Sequence, residues 1–140
     1  MKVISDIARW NCAHKSVFLR ADLNVPLQDG IIIDDARLKA IIPTIDLLCE
    51  KQAIIILATH IGSPKNQEEK LSTQWLIPWF QERKYSIHHA TTFAQAQDIK
   101  HYASPGTIIL IENVRFFAGE KQPTQSFVNE LKQQIGRAHV

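Results

Sequence analysis

Glycine is scarce in this sequence: Gly30, Gly62, Gly106, Gly119 and Gly136 are the five present, and none forms a GxG pair. That spacing excludes a glycine-rich dinucleotide loop, and no GxxxxGK(S/T) is present either, so a nucleotide phosphate has no ready cradle on this chain. Cysteine is scarcer still. Cys12 and Cys49 make no CxxC pair, which argues against a zinc site or disulfide framework and for reduced thiols in a cytoplasmic protein. The longest apolar runs, 53–58 and 108–111, fall far short of the ~18–20 residues a membrane span needs. The opening Met1-Lys2-Val3-Ile4-Ser5-Asp6 starts no apolar stretch of signal-peptide length. An excess of one charge is lacking too. Sixteen Lys and Arg stand against 14 Asp and Glu, a net charge of +2 without a long basic run, so neither nucleic acid nor membrane is expected as a partner. His14, His88, His89, His101 and His139 lack metal-ligand spacing, and no Ser/His/Asp or Cys/His constellation stands out.

What is present is ordinary globular composition, 45% hydrophobic and 21% charged, over 140 residues, about one domain of chain. Short β-branched runs alternate with helical patterns. Strands are expected at 16–21, 53–59, 85–89 and 107–111, with Asp29-Gly30 as a turn before Ile31-Ile32-Ile33. Asp34-Asp35 reads as a helix cap ahead of Leu38, Ile41, Ile42, Ile45 and Leu48, with Pro43 kinking or dividing that helix. Further helices are expected at 72–81, where Trp75, Trp79 and Phe80 are assigned to the core, at 93–102, and at 124–135 ahead of Gly136. Strands alternating with helices predict a three-layer, Rossmann-like α/β fold, an open sheet of mostly parallel strands with helices on both faces.

Ligands bind such sheets at the carboxyl ends of the strands. Three of those ends carry unusual polar groups: Arg20, Asp22 and Asn24, with Arg37 one turn into the next helix; His60, Gly62 and Ser63; and Glu112, Asn113 and Arg115. Taken singly, each has a bland reading as an ion pair, a turn or a cap. Together they make a set of guanidiniums, an imidazole, amides and carboxylates suited to a small, multiply anionic ligand such as a phosphorylated acid.

Three blocks of this sequence resemble the phosphoglycerate kinase family. The first is Arg20-Ala21-Asp22-Leu23-Asn24-Val25-Pro26-Leu27 with Asp29-Gly30, Asp34-Asp35-Ala36-Arg37-Leu38 and Pro43-Thr44-Ile45. The second is Thr59-His60-Ile61-Gly62-Ser63-Pro64-Lys65, and the third runs from Leu110-Ile111-Glu112-Asn113-Val114-Arg115 to Phe116-Phe117-Ala118-Gly119-Glu120. Order and spacing match over nearly the whole chain.

The resemblance implies a glycolytic, cytoplasmic kinase of two lobes. Residues 1–140 correspond to an incomplete N-terminal lobe that binds 3-phosphoglycerate or 1,3-bisphosphoglycerate. The C-terminal lobe, which binds MgADP or MgATP in the family, is absent, so no cofactor and no metal is expected on this chain and no turnover from it alone. By position, Asp22 and Asn24 take the hydroxyl and carboxyl end of the substrate, Arg37 is the catalytic arginine that steadies the transferring phosphoryl group, and His60, Gly62, Ser63 and Arg115 lie around the 3-phosphate. Two departures stand out. Ser63 occupies the position of a family arginine, with Lys65 two residues on as a point charge lacking the guanidinium fork. The chain also stops near Gly136-Arg137-Ala138-His139-Val140, ahead of the family's next strand and basic segment, which predicts an uncovered sheet edge and self-association where the full-length family is monomeric. The alternative is a degenerate, non-catalytic anion-binding or interaction module of the same fold.

Overall fold

The computed structural model describes residue 11, residues 13–61 and 71–113, and the backbone of 137–139. In chain order these form β1 (Ser16–Arg20), β2 (Leu27–Gln28), β3 (Ile31–Ile32), α1 (Ala36–Glu50), β4 (Ile54–Ala58), a 3-10 turn (Thr73–Leu76) leading into α2 (Ile77–Glu82), β5 (Ile87–Ala90), α3 (Phe93–Tyr102), β6 (Ile108–Ile111) and β7 (Arg137–His139). The expected helix at 124–135 and the environment of Cys12 lie outside the described residues.

Every residue of β4 and of β6 is buried, as continuous Ile/Leu runs should be when a strand is covered on both faces. The five main strands are ordered β5-β6-β4-β1-β7, and every neighbouring pair is parallel. On one face Leu38, Ile41, Ile45 and Leu48 of α1 pack with Trp79 and Phe80 of α2 against Leu19, Ile55 and Leu57. On the other, Ala96 and Ile99 of α3 meet Phe18, Ile56, Ile109 and Ile111. Each large aliphatic side chain removed from water in this way contributes about 1.5–3 kcal/mol before conformational entropy is set against it. The result is the expected three-layer, parallel α/β sheet.

Local chemistry departs from the sequence expectations at five places. Pro43 neither divides nor ends α1, which is continuous from Ala36 to Glu50. It faces solvent, and the bond it removes is the one to the carbonyl of exposed Lys39, which water can replace. The helix expected at 72–81 is split instead. Pro78 falls in the first turn of α2, where its missing N–H costs nothing, and the preceding turn closes as 3-10 with the Ser72 hydroxyl accepting from Gln74 N–H at 3.1 Å.

Trp75 is half-buried, not core. Asp29 and Gly30 both have positive φ (53° and 78°), the condition for a two-residue type I′ turn, and they join β2 to β3 as an antiparallel hairpin. A Cβ on Gly30 would stand 2.9 Å from the Trp75 ring, so the indole lies flat on the hairpin because this residue is glycine.

The Asp34-Asp35 cap divides its labour. Asp34 Oδ1 accepts from Ala36 N–H at 2.9 Å, whereas Asp35 Oδ2 accepts from Trp79 Nε1–H at 2.9 Å and lies 3.6 Å from the Arg83 guanidinium. Arg83 in turn stacks 3.7 Å above the Trp79 ring. Asp35 therefore ties the start of α1 to α2, and the bond from Trp79, with Lys39 nearby, holds its carboxyl below the usual carboxylate range.

Finally, β1 has a second neighbour that the sequence pattern did not announce. Phe18, Leu19 and Arg20 pair with Arg137, Ala138 and His139 of β7, three residues that the sequence pattern did not mark as a strand. Cys49 is a poorly reactive thiol: its Sγ is 3.5 Å from the Gly106 carbonyl, and burial pushes its pKa up. No helix among the described residues is long and apolar enough to cross a membrane.

Candidate functional site

The carboxyl ends of β1, β4 and β6 lie side by side, because Arg20 is in register with Ala58 and Leu57 with Leu110. Past β1 the side chains alternate. Leu23 and Val25 go into the core, while Asp22 is exposed and Asn24 half-exposed on the outer side. Burial of every second residue thus presents the two polar side chains on one face.

Arg37, on the first turn of α1, closes onto them. Its Nη1 donates to Asp22 Oδ1 at 2.9 Å and to the Asn24 carbonyl at 3.1 Å, and Asp22 Oδ1 also accepts the Asn24 N–H at 3.2 Å. Three residues singled out from the sequence are therefore brought together. The pair is open to water, with side-chain exposures of 53% for Arg37 and 57% for Asp22, so it adds little to stability. Both bonds use Nη1, which leaves Nη2 and Nε as donors toward an incoming anion. Beside this triangle is a cavity of about 450 Å³, bordered among the described residues by Asn24, Leu27, Gly30, Ile61 and Leu71. Its volume lies within the range of small-molecule sites.

His60, half-buried, follows β4 at the same level as Asp22 follows β1. Gly62, Ser63 and Lys65, and Arg115 after β6, lie outside the described residues, so the structure assembles Asp22, Asn24, Arg37 and His60 of the expected set.

Glu112 and Asn113, counted with the ligand-facing groups from sequence, are committed to the scaffold. The Glu112 carboxylate accepts from Ser72 Oγ–H at 2.7 Å (Oε2), Thr73 N–H at 2.8 Å and Asn113 N–H at 2.8 Å (both Oε1). The Asn113 amide, fully buried, donates from Nδ2 to the carbonyls of Ile61 and Leu71, each at 2.8 Å. These two residues at the end of β6 thereby hold both flanks of the stretch from Ile61 to Leu71. Sequence reasoning missed this scaffold role; a Glu-Asn pair directly after a fully apolar strand is its only signal.

Behind Glu112, on β5, is His89. The Thr73 hydroxyl donates to the Ile111 carbonyl at 2.9 Å, so the 3.0 Å contact with His89 Nε2 has the imidazole as donor, which assigns the Nε2–H tautomer. Burial lowers the His89 pKa from its usual 6.5, against an opposing pull from Glu112 3.9 Å away. The folded chain therefore resists protonation that the unfolded chain accepts. The His89 contribution to stability is complete above pH 6.5 and is lost as pH falls through the lower folded value. In urea titrations at pH 8 and pH 5, His89→Gln is expected to lose less stability on acidification than the unsubstituted chain. Equal losses would rule out the buried neutral imidazole as a source of acid sensitivity.

Among the described residues no cluster of His, Cys, Asp or Glu could hold a metal ion. Comparison with known proteins extends this geometry. The sequence profile of the family described as phosphoglycerate kinase matches residues 4–137. The chain is 38% identical over 126 residues to a phosphoglycerate kinase of Streptomyces avermitilis, covering 86% of this chain and 31% of that protein. It is 39% identical over 126 residues to one of Chlamydia muridarum, covering 84% and 31%. In structure it superimposes on phosphoglycerate kinase from Pyrococcus horikoshii with a TM-score of 0.75 at 30% identity, over 92% of this chain and 34% of that one. The Coxiella burnetii enzyme gives 0.74 at 26% identity, over 91% and 32%. The chain thus spans about a third of the length of the relatives it matches.

Proposed function

The chain belongs to the phosphoglycerate kinase family, and from that premise we propose that its strand-end face is the triose-acid half of a phosphoryl-transfer site. It binds 3-phosphoglycerate or 1,3-bisphosphoglycerate for transfer between the acyl phosphate and ADP, as a step of glycolysis in the cytoplasm. The observation that carries this reading is the Asp22–Asn24–Arg37 triangle. An exposed ion pair of small energetic value, its guanidinium held by one nitrogen and the rest of the fork without a bond among the described residues, is better explained by a ligand than by folding.

In this reading Asp22 and Asn24 orient the hydroxyl and carboxyl end of the acid. His60, Gly62, Ser63 and Arg115 surround the 3-phosphate. Arg37 neutralises charge on the equatorial oxygens of the moving phosphoryl group, the contribution that dominates such reactions. MgADP or MgATP supplies the other half of the chemistry. The described residues offer no acidic cluster that fits it, and no step on these residues is routed through it.

Titrating 3-phosphoglycerate into the 140-residue chain, with amide resonances followed by NMR, tests the reading. Shifts concentrated at Asp22, Asn24, Arg37, His60 and Arg115 are expected, together with no rate in a coupled kinase assay. Absence of shifts at millimolar ligand would move the chain to the second reading, a non-catalytic module. Ser63 favours that reading, since a guanidinium in its place would add a charge-assisted bond of about 1.5–3 kcal/mol to the phosphate.

A further inference from the structure

The backbone ladder between β1 and β4 ends with Ala21 N–H donating to the Ala58 carbonyl at 3.0 Å. A parallel ladder carried one rung further would put Leu23 N–H on the carbonyl of His60. Instead Leu23 N–H donates to the side-chain oxygen of Thr59, Oγ1, at 2.9 Å, and that hydroxyl lies 3.4 Å from the His60 carbonyl. A side-chain acceptor has taken the place of a backbone one. The two chains can then part at the mouth of the sheet while a buried N–H remains satisfied.

The position of that bond gives it a role. Leu23 sits between Asp22 and Asn24, and its own side chain is completely buried. The hydroxyl of Thr59, itself 1% exposed, therefore fixes the peptide that carries both partners of Arg37 and ties it to the residue before His60. We infer that Thr59 is a positioning residue: its buried hydroxyl, bonded to Leu23 N–H, sets Asp22 and Asn24 relative to His60 and so aims the Arg37 guanidinium. Thr59 touches none of the substrate-facing atoms. Valine would fill the same space, but it would leave the Leu23 N–H without an acceptor in the core.

The inference rests on the proposed substrate site, and two variants of the full chain test it. In Thr59→Val the dissociation constant for 3-phosphoglycerate is expected to rise about tenfold, the scale of one orphaned buried donor, with displaced Leu23 and Asn24 amide resonances. Thr59→Ser keeps the hydroxyl and is expected to restore affinity and resonances even where loss of the methyl lowers the melting temperature. A residue that merely filled space would show the reverse order. Affinity within about twofold of the unsubstituted chain in Thr59→Val, or no recovery in Thr59→Ser, would overturn the inference. If valine prevents folding, Thr59→Cys, with its weak sulfur acceptor, is judged by the same criteria. If the unsubstituted chain does not bind 3-phosphoglycerate at all, the substrate reading fails by itself. The positioning role is then decided on the Arg37 guanidinium 15N signals, which must change in Thr59→Val and return in Thr59→Ser; unchanged signals would overturn it.

Discussion

Replacing Arg37 with methionine is expected to lower kcat by about a thousandfold or more in a chimera that joins this chain to the remaining two-thirds of a relative, with the unsubstituted chimera as reference. The magnitude is that of an arginine whose charge meets a phosphoryl group in the transition state. Because Asp22 and Asn24 hold Arg37 through Nη1, the other guanidinium donors are oriented before substrate arrives, and little reorganisation is left for the reaction step. The KM for 3-phosphoglycerate should change far less than kcat, since in the proposed reading other groups hold most of the ground-state acid. Lysine should not rescue the loss: one ammonium cannot satisfy Asp22 and the Asn24 carbonyl and still present a fork. A kcat within about tenfold of the reference in Arg37→Met would remove Arg37 from the reaction and leave it a surface ion pair.

The second large effect is structural. Asn113→Leu is expected to lower the unfolding free energy by about 2–5 kcal/mol, measured as the urea midpoint at constant slope. Leucine branches at the same carbon and is somewhat larger, so no cavity arises. What is lost is the pair of 2.8 Å bonds from Nδ2, leaving the Ile61 and Leu71 carbonyls without that donor beside a fully buried position. Asn113→Asp should be no better near neutral pH, because a carboxylate cannot donate to either carbonyl. A loss below about 1 kcal/mol would show that water or another donor replaces the amide. Comparison with Glu112→Gln, which keeps a hydrogen-bonding side chain toward Ser72 and Thr73, separates the two halves of this clamp.

The fold was legible wherever composition and burial coincide. The apolar runs that became β4 and β6, and the Leu38–Ile41–Ile45–Leu48 stripe of α1, leave no doubt about type or face because nearly every residue in them is buried. Asp29-Gly30 was equally clear, since few dipeptides tolerate two successive positive φ angles. Legibility ended where one side chain had two uses. Asp35 looked like a cap and became a tie to Trp79; Trp75 carried core periodicity, yet the bare face of Gly30 drew it to the hairpin. β7 was invisible because three residues without β-branched character acquire strand geometry only from the free edge of β1.

The candidate site divides along the same line. Asp22, Asn24 and Arg37 could be picked out because polar residues at a strand end are conspicuous in sequence and stay outside the core in the structure. Thr59 and Asn113 could not, because their roles are set by backbone groups of Leu23, Ile61 and Leu71, which no residue identity announces.

The place of β1 in the sheet also constrains how the chain comes together during synthesis. It is the first strand among the described residues, but its two neighbours are β4 and β7, and β7 contains the last described residues. Synthesis from the N-terminal side presents β1 before either flank exists, and the β7 flank stays open until residues 137–139 have emerged. Pairing across so long a stretch closes a large loop and is slow. During that interval the exposed strand includes Phe18, Leu19 and Arg20, the residues leading directly into Asp22 and Asn24. Among the described residues, the polar strand end that carries Asp22 and Asn24 is thus one of the last to acquire its final surroundings.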